Sequence, residues 1–115
     1  MIILDEVIPL NKLSSLESVR FFPDMVKAVV DIKECKIALC AELHSDLEQL
    51  MLESGYDQKN LYGINIYYSD GMVEFDSAIN PPRNRDAGFP RVGRYVADPA
   101  ARERIMEVVA KWIAF

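Results

Sequence analysis

Residues 25–43 read MVKAVVDIKECKIALCAEL and contain two runs in which apolar side chains recur at every second position. Val26, Ala28, Val30 and Ile32 share one face of the first run, and Ile37, Leu39, Ala41 and Leu43 share one face of the second. Alternation of period two in a stretch with β-branched residues predicts strands. Because the polar segment 33–36 separates the runs, the stretch is expected to form a β-hairpin.

A second hairpin is predicted downstream, with strands over residues 61–68 and 72–80. Ser69-Asp70-Gly71 between them suits a three-residue loop that needs glycine at a positive φ. Helices are predicted over residues 10–20, from Ser45 to Gly55, and from Asp98 onward. Ser45 and Glu48 have the spacing of a capping box, Gly55 is typical of a helix end, and Asp98-Pro99 combines a cap with proline at the first helical position.

The order α-β-β-α-β-β-α predicts an α+β fold in a single domain covering residues 1–115. The expected architecture is an antiparallel sheet of about four strands, with the three helices mainly on one face. The other face is then expected to be polar and open to solvent. Strict alternation places ten polar residues on it: Lys27, Asp31, Lys36, Glu42, His44, Asn65, Tyr67, Glu74, Asp76 and Asn80.

Composition narrows the class of protein. The chain has 115 residues, half of them hydrophobic, and a net charge of −5. An acidic chain disfavours general nucleic-acid binding, and no apolar run approaches the ~20 residues that span a bilayer. Acidic residues follow directly on the first four positions, which argues against a signal peptide. Cys35 and Cys40 lack the spacing of a zinc site or a disulfide framework, so a cytoplasmic location is predicted.

Charge is unevenly distributed along the chain. Residues 1–80 carry 14 acidic and 6 basic side chains, whereas residues 81–115 carry 4 acidic and 7 basic ones. The segment 81–97 is rich in proline and glycine, and a loop of this length in a small domain is often functional. The predicted ligand-binding residues are Asn80, Arg83, Arg85, Arg91 and Arg94. Guanidinium groups bind phosphate or carboxylate bidentately; alternatively, these arginines pair with the acidic part of the chain, within one copy or across a homodimer.

His44 is the only histidine, and it lies in Ala41-Glu42-Leu43-His44-Ser45-Asp46. On the predicted polar face it would stand near Glu42, Glu74 and Asp76, a set that could act as general acid and base or hold a hard metal ion. These four are the candidate catalytic residues. Alternatively, the carboxylates belong to a solvated strand face, and His44 hydrogen-bonds a neighbouring group at a strand–helix junction. No second histidine is available for a two-histidine metal site, so no metal ligands are assigned.

Two classes of function remain open. The first is a non-enzymatic binding or regulatory module whose arginine loop meets an anionic ligand or an acidic partner surface. The second is a small metal- or acid/base-dependent hydrolase acting on a phosphate-bearing substrate. The sequence has no phosphate-binding glycine motif, no GxSxG and no HExxH, and it does not specify a cofactor.

Several segments together resemble a family of small prokaryotic proteins of unknown function. They are residues 24–31, 41–46, 63–67, 74–80 and 96–99, and the resemblance covers nearly the whole chain. The resemblance implies one domain in a bacterial or archaeal cytoplasm, and it carries no established activity. The family often has another small residue at the position of Ser45, which favours a capping role over a catalytic one.

Overall fold

The computed structural model describes residues 1–15, 21–75, 79, 96 and 98–115. Seven strands lie in these ranges: β1 Ile2–Ile3, β2 Ile8–Pro9, β3 Met25–Asp31, β4 Lys36–Leu39, β5 Leu61–Tyr67, β6 Val73–Glu74 and β7 Ile113–Ala114. The α-helices are α1 His44–Glu53 and α2 Pro99–Trp112, and two 3-10 helices span Leu10–Ser15 and Gln58–Asn60. Of the helix predicted over 10–20, residues 16–20 lie outside the described part.

Five strands form one antiparallel sheet in the order β1-β4-β3-β5-β6. The predicted hairpin is present, with Val29 opposite Ala38 and Asp31 opposite Lys36. On its other side β3 pairs with the whole of β5, from Met25 opposite Tyr67 to Asp31 opposite Leu61. The α+β class and the antiparallel sheet are thus confirmed, and β3 is the central strand.

The sheet is covered on both faces, so the prediction of three helices mainly on one face is correct for the first helical segment and for α2, and wrong for α1. One core cluster joins α2 to the alternating residues Val26, Ala28 and Val30 of β3. A second cluster joins Leu47 and Met51 of α1 to residues such as Val29, Ala38 and Leu61, which point the other way. The face expected to be open therefore has an apolar centre beneath α1, and its polar residues are displaced toward its ends.

The sheet has five strands and not the predicted four, because β1 pairs with the edge strand β4 and places Ile2 opposite Leu39. A separate parallel pair forms between β2 and β7, with Ile8 opposite Ile113 and Pro9 opposite Ala114. Each of these three strands has two residues, which is too short for an alternating pattern to be visible in the sequence.

The start of α1 differs from the predicted capping box. The helix begins at His44 with Leu43 as N-cap, and no side chain caps it. Ser45 lies inside the first turn, where the Asp46 N–H donates to the Leu43 carbonyl at 3.2 Å. The strand predicted to continue to Leu43 ends at Leu39, because Cys40 adopts a positive φ of 74° that turns the chain out of the sheet.

Other local predictions are confirmed. Gly55 has a φ of 94° just after α1, and Gly71 has a φ of 74° in the β5–β6 loop. The Asp98 side chain accepts a hydrogen bond from the Ala100 N–H at 3.0 Å, with Pro99 in the first turn of α2. Glycine tolerates such φ values, and an aspartate cap satisfies an otherwise unpaired helix N–H.

The β3–β4 turn is held from two sides. The Asp31 Oδ1 atom accepts hydrogen bonds from the Lys33 and Glu34 N–H groups, each at 2.8 Å. The indole N–H of Trp112 donates to the Cys35 carbonyl at 2.8 Å. The turn is therefore fixed to the last turn of α2 as well as to β3.

Among the described residues, no helix combines the length and apolar character that a membrane span requires.

The Asp98 cap gives a direct test of how α2 is stabilised. Asp98→Ala is expected to reduce the free energy of unfolding by about 1 kcal/mol, because the Ala100 N–H loses its acceptor. Asp98→Asn keeps the acceptor and should retain most of the stability. Urea unfolding followed by circular dichroism measures both; equal losses would assign the effect to the aspartate charge instead of the hydrogen bond.

Candidate functional site

Three polar side chains form a row across three adjacent strands, beyond the apolar centre of the α1 face. Lys27 of β3 lies opposite Asn65 of β5, and Asn65 lies opposite Glu74 of β6. The Asn65 Nδ2 group donates to Glu74 Oε1 at 2.8 Å. The Lys27 ammonium lies 5.0 Å from the ring centroid of Phe22, a cation–π distance. We call Lys27, Asn65 and Glu74 the polar row.

Asn65 is the unusual member of the polar row, because it is only 5% exposed. Its Oδ1 atom is buried and has no hydrogen-bond partner among the described residues. A buried polar atom without a partner costs about 1–3 kcal/mol of desolvation and is uncommon in native structures. The polar row is therefore a candidate site on the α1 face, and its central acceptor is buried and unsatisfied among the described residues.

His44 is buried at the junction of the sheet and α1. It is 6% exposed, and its Nε2 atom lies 2.8 Å from the carbonyl oxygen of Ile64, the residue before Asn65. This is the type of contact expected from the structural alternative for a lone histidine at a strand–helix junction.

The acceptor also fixes which ring nitrogen carries a proton. A carbonyl oxygen can only accept, so Nε2 of His44 must be the donor toward Ile64. Any proton transfer or metal binding by this imidazole would have to use Nδ1, because Nε2 is already engaged.

Glu42 does not share a strand face with His44. It lies in the connection between β4 and α1, is exposed, and makes no hydrogen bond or ion pair with a described residue. The alternation that placed Glu42 beside His44 fails because β4 ends at Leu39. Of the four candidate catalytic residues, the structure places Glu74 in the polar row and His44 beside it, and it leaves Glu42 at the surface.

The remaining predicted site residues lie outside the described part of the chain: Asp76, Asn80, Arg83, Arg85, Arg91 and Arg94. The residues that flank this segment are described, and they meet. The Val96 N–H donates to the Phe75 carbonyl at 3.3 Å. Arg102 Nε in turn donates to the Val96 carbonyl at 2.6 Å, and the Arg102 guanidinium lies 4.9 Å from the Phe75 ring centroid.

Phe75, Val96 and Arg102 thus form a closed set of mutual contacts, which we call the clasp. It joins the end of β6 to the first turns of α2 and brings together the two ends of segment 76–95. The sequence patterns do not assign a role to Arg102. Its position one turn into α2 would have indicated that it belongs to the helix instead of the loop, but nothing in the sequence identifies Phe75 as its partner.

Within the ranges that the structure covers, no group of three or more His, Cys, Asp or Glu side chains is close enough to hold a metal ion.

The structural role of His44 can be tested with substitutions that remove its N–H donor or move it away from the Ile64 carbonyl. His44→Ala leaves the Ile64 carbonyl without that donor and is expected to cost about 1–3 kcal/mol. His44→Gln can place an amide N–H near the position of Nε2, whereas His44→Asn is too short, so glutamine should restore more stability than asparagine. Denaturant unfolding of the three variants measures this; equal stability of His44→Ala and the unsubstituted protein would contradict a structural role.

Comparison with known proteins gives a family and no activity. No curated protein and no solved structure matches the sequence. Residues 2–112 match DUF5674, which is described as a protein of unknown function. Because the match spans almost the entire chain, the protein belongs to the DUF5674 family.

Proposed function

We propose that this protein is a non-enzymatic binding module for an anionic ligand or an acidic partner surface. In this proposal Arg83, Arg85, Arg91 and Arg94, together with Asn80, supply the contacts. Guanidinium groups match the geometry of phosphate and carboxylate, and several of them in one segment favour a multiply charged anion.

The observation that carries the proposal is the clasp. Val96 is 1% exposed and packs in the core cluster beneath α2, so the return point of segment 76–95 is fixed. Ile79 packs in the cluster beneath α1. Arg83 stands four residues after Ile79 in the sequence, and Arg94 two residues before Val96. Two of the four arginines are therefore close in sequence to a residue that is buried in the core.

Fixed ends also reduce the entropic cost of binding. Loops supported by a rigid scaffold commonly carry binding residues. Ordering a segment on its ligand consumes part of the interaction free energy, and restricting its freedom beforehand reduces that loss. The clasp fixes Phe75 and Val96, the described residues on either side of the arginine-bearing segment.

The same described residues give less support to the hydrolase alternative. The Nε2 atom of His44 is engaged by Ile64, and Oε1 of Glu74 is engaged by Asn65. Glu42 is exposed and outside the sheet. A general acid/base pair needs its groups within hydrogen-bond reach of one reacting atom. His44 and Glu74 each make another hydrogen bond, and Glu42 lies apart from them at the surface.

Calorimetric titration with inorganic pyrophosphate at low salt tests the proposal. A variant with glutamine at positions 83, 85, 91 and 94 is expected to bind at least tenfold more weakly than the unsubstituted protein. The matched control carries the same change at four exposed basic residues elsewhere, namely Lys12, Lys33, Lys59 and Arg104. Both variants lose the same charge, so a general electrostatic effect would weaken both alike.

The proposal would be overturned if the unsubstituted protein did not bind pyrophosphate. It would also be overturned if both variants lost the same amount of affinity. Turnover of p-nitrophenyl phosphate that depends on His44 and Glu74 would instead favour the hydrolase.

Arg102 is a positioning residue in this proposal, and Arg102→Lys tests it at constant charge. Lysine lacks the planar fork that both stacks on Phe75 and donates to Val96, so pyrophosphate affinity is expected to fall about threefold to tenfold. Arg104→Lys, an exposed site on the same helix, is the control. Equal affinities for the two variants would show that the clasp does not contribute to binding.

A further inference from the structure

A separate cleft lies at the opposite end of the α1 face from the polar row. It has a volume of about 320 Å³ and lies between the C-terminal end of α1 and the β3–β4 turn. Its lining includes Asp31 and Glu34 from the strand side, and Gly55, Tyr56 and Asp57 from the helix side. The volume is within the range of about 300–1,000 Å³ typical of small-ligand sites.

Asp31 is the distinctive residue of this cleft, because its carboxylate is completely buried, with 0% exposure. One oxygen, Oδ1, accepts the Lys33 and Glu34 N–H groups. The other oxygen, Oδ2, is buried and has no hydrogen-bond partner among the described residues. The β3–β4 turn uses only Oδ1 of Asp31. The turn therefore accounts for the burial of one carboxylate oxygen and leaves the other without a hydrogen bond.

The electrostatic surroundings of Asp31 favour a positive ligand. Glu34 and Asp57 line the same cleft, and Lys33 is the one basic residue in the described lining. Asp57 is in contact with Lys59 at 3.6 Å, but both side chains are largely exposed and the pair is screened by solvent. The C-terminal end of α1 adds the negative end of a helix dipole.

The ligand should also donate hydrogen bonds. The described residues provide no group of three acidic, histidine or cysteine side chains for a metal ion, here or elsewhere. A cation that carries N–H groups can donate to the exposed carboxylates of Glu34 and Asp57, and the ring of Tyr56 in the lining can stack on such a group.

We propose that the Asp31 cleft binds an ammonium or guanidinium group, with the buried Asp31 carboxylate as a nearby counter-charge and the exposed Glu34 and Asp57 carboxylates as hydrogen-bond acceptors. Such a group can be presented by a free amine or by an arginine or lysine side chain of a second copy of this chain. The two sources share one chemistry, and the experiment separates them. This site is independent of the arginine segment and of the pyrophosphate test.

The experiment follows backbone amide shifts of Lys33, Glu34 and Gly55 by NMR. The probes are L-argininamide and n-butylammonium, with n-butanol as the neutral analogue. We expect saturable shifts with the two cations and none with butanol. Asp31→Asn keeps an Oδ1 acceptor for the turn and removes the charge, so it should weaken binding at least tenfold.

Asp70→Asn is the matched control. Asp70 Oδ1 accepts the Met72 N–H at 3.0 Å in the β5–β6 loop, so this aspartate makes the same kind of turn contact without lining the cleft. It should bind both probes like the unsubstituted protein. Sedimentation at several protein concentrations tests whether the cationic group comes from a second copy of this chain. Self-association that is lost in Asp31→Asn and kept in Asp70→Asn would identify the second copy as the source.

Absence of saturable shifts together with no Asp31-dependent association would overturn the proposal. So would equal weakening in the Asp31 and Asp70 variants, since that would reflect net charge alone. Unfolding curves of both variants, recorded alongside, establish that each retains its fold.

Discussion

The architecture depends on one constraint, which is that β3 is paired along both edges and buried on both faces. Its backbone groups are shared between β4 and β5. Val30 packs toward α2 and its neighbour Val29 toward α1. A strand in this position has no exposed face, so both helices must be seated before its apolar residues leave water. The polar residues of β3 are thereby restricted to Lys27 and Asp31, which occur at the two candidate sites.

Much of the fold can be predicted from local patterns, and the errors have a common cause. The hairpin at 25–43, strand β5 and the cap at Asp98 follow from periodicity and turn chemistry, which are properties of neighbouring residues. The side of the sheet on which α1 packs is not determined by residues that are neighbours in the sequence. Val29 and Ala38 interrupt the polar face at its centre, and this signal was available in the sequence. The opposite face has longer runs of apolar residues, and these favour it as the face on which helices pack.

The candidate sites were less predictable, because contacts between distant residues define them. The polar nature of Lys27, Asn65 and Glu74 is visible in the sequence, but the burial of Asn65 Oδ1 without a partner among the described residues is a property of the tertiary structure. His44 is the only histidine in the sequence, and its contact with the Ile64 carbonyl gives it a structural role. Asp31 has an ordinary sequence context, and only its complete burial beside a cleft distinguishes it.

The parallel pair of β2 and β7 has a consequence for folding kinetics. It joins Ile8 to Ile113, so the pairing closes a loop that contains both hairpins and both helices. Closing a long loop early is entropically costly, whereas the ends are already near each other once the sheet and α2 are in place. The pair should therefore form late and contribute little to the folding rate. Contacts absent from the transition state act mainly by slowing unfolding, so this pair of two-residue strands is expected to lower the unfolding rate.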